Sequence, residues 1–187
     1  MARDENLEVC QSRSQSPHSR KIRHKRILWS IVEASLFRYS FHSSYRWRSF
    51  LLTLFGAKIG RLVNVRRTCR VYFPWNLRIG DFSSIGDDTV IYNLGAVVIG
   101  DLVTISQEAY LCAGTHDYRR LDMLLLTPAV DVRNMAWICA RAFVGPGVTV
   151  GEGAIVGAAS VAMRDVPQWT IVAGNPATFV RERSRPA

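Results

Sequence analysis

A chain of 187 residues, 48% of them apolar, suits one domain with extensions and can bury a substantial core. Its four cysteines, Cys10, Cys69, Cys112 and Cys139, are scattered without a Cys-x-x-Cys pair or zinc-like spacing, which argues against a secreted disulfide scaffold and for free thiols in a reducing compartment. The net charge of +9 sits in the flanks, because residues 59–180 carry 10 Lys/Arg against 10 acids, so the main body lacks the basic surface that nucleic acid requires.

Residues 1–26 carry 7 Lys/Arg against 3 acids, are rich in Ser and show no periodicity, so they are expected to form a disordered basic tail. No apolar core precedes a cleavage site there, and no stretch reaches the roughly 18–20 apolar residues of a membrane span, so a cytoplasmic location is expected. From Ile27 to Lys58 the pattern turns helical. Leu28, Ile31, Val32, Ser35, Leu36 and Tyr39 can share one face at 3.6 spacing, and the run Phe50–Phe55 stops at Gly56. This segment, with 4 Lys/Arg against 1 acid, is expected to cap the end of the domain that follows. Its amphipathic character, its charge, the sequence Arg46-Trp47-Arg48 and the aromatic Trp29 also suit weak contact with a membrane surface.

At Ile59 a six-residue repeat begins and continues to Val161. Aliphatic residues recur at every sixth position: Ile59, Val65 and Val71; Ile79, Ile85, Ile91 and Val97; Ile99, Ile105 and Leu111; Val132, Ile138, Val144, Val150 and Val156. Small residues often stand four places later, as at Ser83, Thr89, Ala109, Ala142 and Ser160. The period predicts an all-β solenoid, a parallel β-helix in which three hexads make one triangular coil and the aliphatics stack inward. Coils then pair at about 4.8 Å, the ordinary interstrand distance, and glycine is expected to relieve the backbone at the corners. The domain is predicted to span 59–165, followed by a tail over 166–187.

Three register breaks interrupt the count: Tyr72–Leu77, a two-residue slip between Val97 and Ile99, and an insertion over 113–129. Insertions in solenoids become loops on one face, often the binding face. The insertion holds His116, the only histidine of the repeat domain, beside Asp117. Histidine is the usual general base near neutral pH. A zinc site needs three or four converging ligands, so a lone histidine argues against a metal. Cys112 and Cys139 fall at repeat positions and read as packing residues.

The segments Leu54–Gly60, Pro74–Leu77, Ile91–Leu94, Ile105–Gln107, Ala109–Cys112, His116–Tyr118, Ala140–Gly147 and Ala173–Ala177 resemble those of the hexapeptide-repeat O-acetyltransferases. This class includes the maltose, galactoside and nodulation sugar acetyltransferases, and the likeness is greatest to its colanic acid biosynthesis branch. It covers roughly Trp29 to Arg183. The resemblance implies a left-handed coil, a homotrimer with each active site between two subunits, and acetyl-CoA as co-substrate without a metal. It implies direct acetyl transfer to a sugar hydroxyl with His116 as base, Asn93 placing the reacting groups, and Asp117 beside them. The positions matching coenzyme A contacts are Trp137, Ala140, Ala158, Met163 and Arg164, with Arg181 and Arg183 suited to the nucleotide phosphates. Thr178 departs from the pattern, since some relatives carry arginine there. A scaffold without catalysis, or a different acceptor or acyl donor, is the alternative.

Overall fold

A computed structural model describes residues 19–185. Helix α1 (Arg20–Val32) runs into a π-helical turn at Glu33–Phe37, and helix α2 (Tyr45–Leu54) leads to the solenoid. The first coil comprises β1 (Lys58–Ile59), β2 (Asn64–Val65) and β3 (Arg70–Val71). The second comprises β4 (Leu77–Ile79), β5 (Ser84–Ile85) and β6 (Val90–Tyr92), and the third β7 (Val97–Ile99), β8 (Thr104–Ile105) and β9 (Tyr110–Cys112). A hairpin arm, β10 (Thr115–His116) with β11 (Leu125–Leu126), precedes the fourth coil, β12 (Val130–Val132), β13 (Trp137–Ile138) and β14 (Phe143–Val144). The fifth coil is β15 (Thr149–Val150), β16 (Ile155–Val156) and β17 (Val161–Ala162). Finally β18 (Thr170–Gly174) extends one face and β19 (Ala177–Glu182) folds back antiparallel on it.

Like strands of successive coils pair in parallel, making three faces: β1-β4-β7-β12-β15, then β2-β5-β8-β13-β16-β18 with β19 on its edge, and β3-β6-β9-β14-β17. This is the parallel β-helix expected from the repeat, with the left hand that the resemblance implied. The hexad aliphatics form its core: Ile79, Ile85, Ile91, Ile99, Ile105, Leu111, Val132, Ile138 and Val144 are all at most 3% exposed. The small residues face inward too, and the hydroxyls among them serve the backbone. Ser83 Oγ donates to Gly100 O at 2.8 Å and accepts from Val103 N at 2.9 Å, while Thr89 Oγ1 donates to Ser106 O at 3.1 Å. A buried hydroxyl without such partners would be costly.

Coil length departs from eighteen residues early on. Arg78 pairs with Val98, 20 residues on, whereas Asp131 pairs with Thr149, 18 residues on. The extra residues form corners, a 3₁₀ turn at Pro74–Asn76 and the bend after Asn93. The slip expected between Val97 and Ile99 is therefore absent: both lie buried in the single strand β7, pairing with Leu77 and Ile79. The glycine expectation also needs correction. At the corners the left-handed backbone is carried mostly by other residues, among them Leu62, Phe82, Leu102, Glu108 and Arg141, with φ between 51° and 60°. Gly80 stands where the next coil crosses, and a Cβ there would lie 2.6 Å from Gly100 C. Close approach between coils, not positive φ, demands that glycine.

The N-terminal cap packs on the first coil, and Trp29, Phe37, Leu51 and Leu52 belong to the same buried cluster as Val63, Val65 and Val71. Three expectations change here. Residues 20–26, read as part of a disordered tail, are helical: Ser19 Oγ accepts from Ile22 N, Lys25 Nζ lies 4.6 Å from the Trp75 ring centroid, and the Arg26 guanidinium stacks on Tyr72. Tertiary cation–π contacts supply what the polar sequence could not advertise. The rest of the expected tail, residues 1–18, lies outside the described residues. The stripe Leu28, Ile31, Leu36 and Tyr39 faces outward, while Trp29, expected to be exposed, is fully buried and donates its Nε1–H to Val71 O at 2.6 Å. Arg48, read as an interfacial cation, is also fully buried. Its guanidinium donates to Val65 O, Ser40 Oγ, Phe41 O and His42 O at 2.6–2.8 Å, tying the cap to an edge of the first coil.

Candidate active site

The arm leaves the solenoid after β9 and returns before β12, at the corner where the face of β3-β6-β9 meets that of β12. Its base closes on Gly95, where a Cβ would lie 2.3 Å from Thr127 O and 3.1 Å from Ala113 O. Only glycine lets the chain leave and re-enter so tightly. Beyond that base, Thr115 and His116 pair with Leu126 and Leu125. His116 is exposed, and its Nδ1 lies 2.6 Å from Met123 O. A carbonyl oxygen only accepts, so Nδ1 carries the proton and the ring presents a lone pair at Nε2. The ring is thus fixed in one tautomer and one orientation by the arm's own backbone, the geometry a general base needs.

Asp117 does not share this bond. Its Oδ1 accepts from Arg119 N at 3.1 Å, and its own N–H donates to Leu124 O at 2.9 Å, so it shapes the turn of the arm. Asn93 is fully buried, with Oδ1 accepting from Phe73 N at 2.9 Å and Nδ2 donating to Phe73 O at 2.6 Å. Both halves of its amide are spent on the preceding coil. The main chain of the same corner is held by Asn76, whose Nδ2 donates to Leu94 O at 2.8 Å. Asn93 and Asn76 therefore brace the corner against which the arm's base packs. The sequence marked Asn93 as a site residue but carried no sign of this ladder.

The remaining candidates divide between two places. Trp137 stands on the face of β8-β13-β16, 43% exposed, with Nε1 donating to Ser106 Oγ at 2.9 Å. Ala140 and Ala158 stack at the next corner, where Ala159 N donates to Ala140 O at 2.9 Å. Below them the corner is closed by the ion pair of Arg141 Nε with Glu108 Oε2 at 2.8 Å. Met163 and Arg164, both exposed, lie instead at the corner that carries the arm, two coils further on. Arg181 is exposed on β19. Arg183 is committed to its own chain, because Nη1 donates to Met135 O at 2.9 Å and Gly153 O at 2.8 Å. It braces the opposite corner and does not present a free Nη1 to a phosphate.

A triangular prism sets the corner of the arm opposite the face of Trp137. One chain therefore does not bring His116 together with Trp137, Ala140 and Ala158. Thiol chemistry is not favoured: burial pushes the Cys112 and Cys139 thiols up, away from the reactive thiolate, and Cys69 is buried completely. Among the described residues no group of three His, Cys, Asp or Glu side chains converges as metal ligands would.

A left-handed hexapeptide solenoid of this form is shared with solved hexapeptide-repeat acetyltransferases. The chain belongs to the hexapeptide-repeat acetyltransferases. It is 42% identical over 156 residues to the Escherichia coli K12 protein named "Putative colanic acid biosynthesis acetyltransferase WcaF", covering 83% of this chain and 86% of the relative. It is 28% identical over 152 residues to galactoside O-acetyltransferase of Escherichia coli K12, covering 78% and 73%. Among solved structures, a hexapeptide-repeat acetyltransferase from Vibrio cholerae, complexed with acetyl coenzyme A, superposes with TM-score 0.81 at 25% identity over 91% of this chain and 93% of that one. No protein-family model matches the chain.

Proposed function

We propose that this enzyme transfers acetyl from acetyl-CoA to a sugar hydroxyl during assembly of an exopolysaccharide of the colanic acid type. The observation that carries the reading is His116, exposed on the arm and locked by Met123 O so that Nε2 is free to accept a proton. The hydroxyl gives its proton to Nε2 as its oxygen attacks the thioester carbonyl. The tetrahedral intermediate then collapses with loss of the C–S bond, and the imidazolium returns the proton to the departing thiolate. No covalent enzyme intermediate is needed. A positioned base contributes about 10²–10⁴-fold to such a step.

The separation of His116 from Trp137 and the alanine corner supports a homotrimer in which the arm of one subunit reaches the face of its neighbour. The pantetheine arm would lie along Ala140 and Ala158, where short side chains leave the backbone approachable. Trp137 would pack beside the acetyl end, Met163 would line the arm's side, and Arg164 and Arg181 would pair with phosphates. Asn93 and Asp117 act as positioning residues, through the corner and through the turn of the arm. The names of the relatives support both the sugar acceptor and the pathway.

Among the described residues no helix is long and apolar enough to cross a membrane. The cap nevertheless exposes Leu36, Trp47 and Phe50 together. Trp47 stacks on Phe50 with centroids 5.8 Å apart and donates Nε1–H to Leu36 O. Residues 19–58 carry 9 Lys/Arg against 1 acid, with Arg48 alone of these cations fully buried, so this surface suits the cytoplasmic face of an anionic membrane, where a lipid-borne sugar acceptor would be found.

Calorimetry with acetyl-CoA, followed by a screen of saccharide acceptors with radiolabelled acetyl-CoA, tests the reading. Binding of one acetyl-CoA per subunit and label transfer to a saccharide are expected. Failure to bind acetyl-CoA would overturn it.

A further inference from the structure

At the junction of helix α1 with the first coil lies a cavity of about 280 Å³, lined by Arg26, Ser30, Glu33, Arg38, Arg67 and Arg70. Four guanidiniums against one carboxylate leave a charge of +3 around it. Among the described residues none of the four arginines has an ion-pair partner within 4 Å, although Arg61, Arg66, Arg120, Arg133 and Arg141 all do. Glu33 is the one acid among them: its Oε1 accepts from Val71 N at 2.7 Å, and burial pushes its carboxyl up while Arg26, Arg70 and Arg38 draw it back down. Most telling is Arg26: its Nη1 is buried and finds no hydrogen-bond partner among the described residues. A charged donor stripped of water and left without an acceptor is costly, and like charges converging on one hollow are costly too. An anion held among the exposed guanidiniums relieves the convergence of like charge.

We propose that this cavity binds a phosphate group. A tetrahedral dianion presents acceptors in several directions, and the planar fork of arginine matches it in paired hydrogen bonds. Ser30 adds a hydroxyl whose Oγ–H now donates to Ile27 O. The site lies at the first coil, on the same corner of the prism as Ala140 but three coils away from it, and away from the corner that carries the arm. Two sources share this chemistry. One is a soluble phosphate ester. The other is an anionic lipid headgroup, since the same helix exposes Ile27 and Ile31.

The test uses the full chain, with inorganic phosphate as one probe and phosphatidic acid vesicles as the other, against phosphatidylcholine vesicles. Arg67 and Arg70 are exposed, so the R67Q/R70Q variant should fold and retain basal acetyl transfer. R20Q/R23Q, which alters exposed arginines outside the cavity, is the charge control. If R67Q/R70Q fails to fold, R38Q carries the same comparison. Calorimetric binding of phosphate that weakens at least about 10-fold in R67Q/R70Q and less than about 2-fold in R20Q/R23Q is the expected result for a soluble ester. Vesicle binding with that same pattern, and none to free phosphate, identifies a lipid headgroup. Absence of binding by either probe overturns the proposal, as does binding that the two variants reduce equally.

Discussion

His116 and Arg48 show how little the residue type says until its partners are known. His116 gives its Nδ1–H to a carbonyl of its own arm, so an asparagine there can keep the donor while offering no base. H116A and H116N should both lower kcat about 10²–10⁴-fold, roughly 3–5 kcal/mol of transition-state stabilisation, with little change in KM for acetyl-CoA. Neither should move Tm appreciably, because the ring is exposed and stacks in no coil. Normal turnover from a folded H116A protein would end the assignment. Arg48 behaves in the opposite way. An R48M substitution leaves Val65 O and His42 O without their donor, whereas Phe41 O keeps the Ser44 N–H at 3.0 Å, and each acceptor that stays dry costs about 1–3 kcal/mol. Chemical denaturation should show a stability loss of at least about 2 kcal/mol with catalysis intact in the fraction that remains folded. A loss below about 0.5 kcal/mol would mean that water replaces the guanidinium.

Among elements, the corners and the cap decide more than the strands. The Ile-Gly-Asp corners carry a ladder: Arg61 N donates to Asp81 Oδ1 at 2.8 Å, Asp81 N to Asp101 Oδ1 at 2.7 Å, and Asp101 N to Asn134 Oδ1 at 2.9 Å. The Arg61 backbone N–H, helped by its guanidinium, holds the Asp81 carboxyl below its ordinary value. A depressed carboxylate adds stability above the unfolded pKa and loses it as pH falls through the folded one. The D81N variant keeps the Oδ1 acceptor but titrates nothing, so Tm should decline less steeply below about pH 4 than in the parent. An unchanged slope would show that the ladder is not coupled to protonation. The cap's outward aromatics make a separate demand. Anionic liposomes should co-sediment the protein at low salt and release it as salt rises, since each cation near the surface contributes on the order of 1 kcal/mol. A W47S/F50S variant should bind less at every salt concentration. Salt-insensitive binding, or none, would count against the membrane face.

For the whole molecule, the prism geometry is the main constraint. His116 stands at one corner and Trp137 on the opposite face, so the proposed site draws its two halves from different subunits. Light scattering should therefore report a trimer, and an active monomer would defeat the interfacial site. Mixed oligomers offer a stricter check. H116A subunits combined with subunits carrying A140W and A158W should regain part of the activity that each lacks alone, because one interface in the mixture pairs an intact arm with an intact face. No recovery after verified subunit exchange would place both halves of the site in one chain.

The solenoid was legible in the sequence because a repeat writes its core directly: each hexad aliphatic from Ile79 to Val156 contacts its counterpart one coil away, so periodicity and packing are the same fact. The arm and His116 were legible for the complementary reason, as the place where that period stops. What the sequence alone did not determine lay in contacts between segments of unlike pattern. The helix from Arg20 depends on cations stacked over Trp75 and Tyr72, the burial of Arg48 on carbonyls of a distant coil, and the outward turn of Leu28 and Ile31 on Trp29 having taken the inward face. The bracing roles of Asn93 and Arg183 also appear only in three dimensions, because an amide or a guanidinium reads the same whether it meets a ligand or its own backbone. Tertiary structure decided these cases by supplying hydrogen-bond acceptors and ring faces that no local spacing encodes.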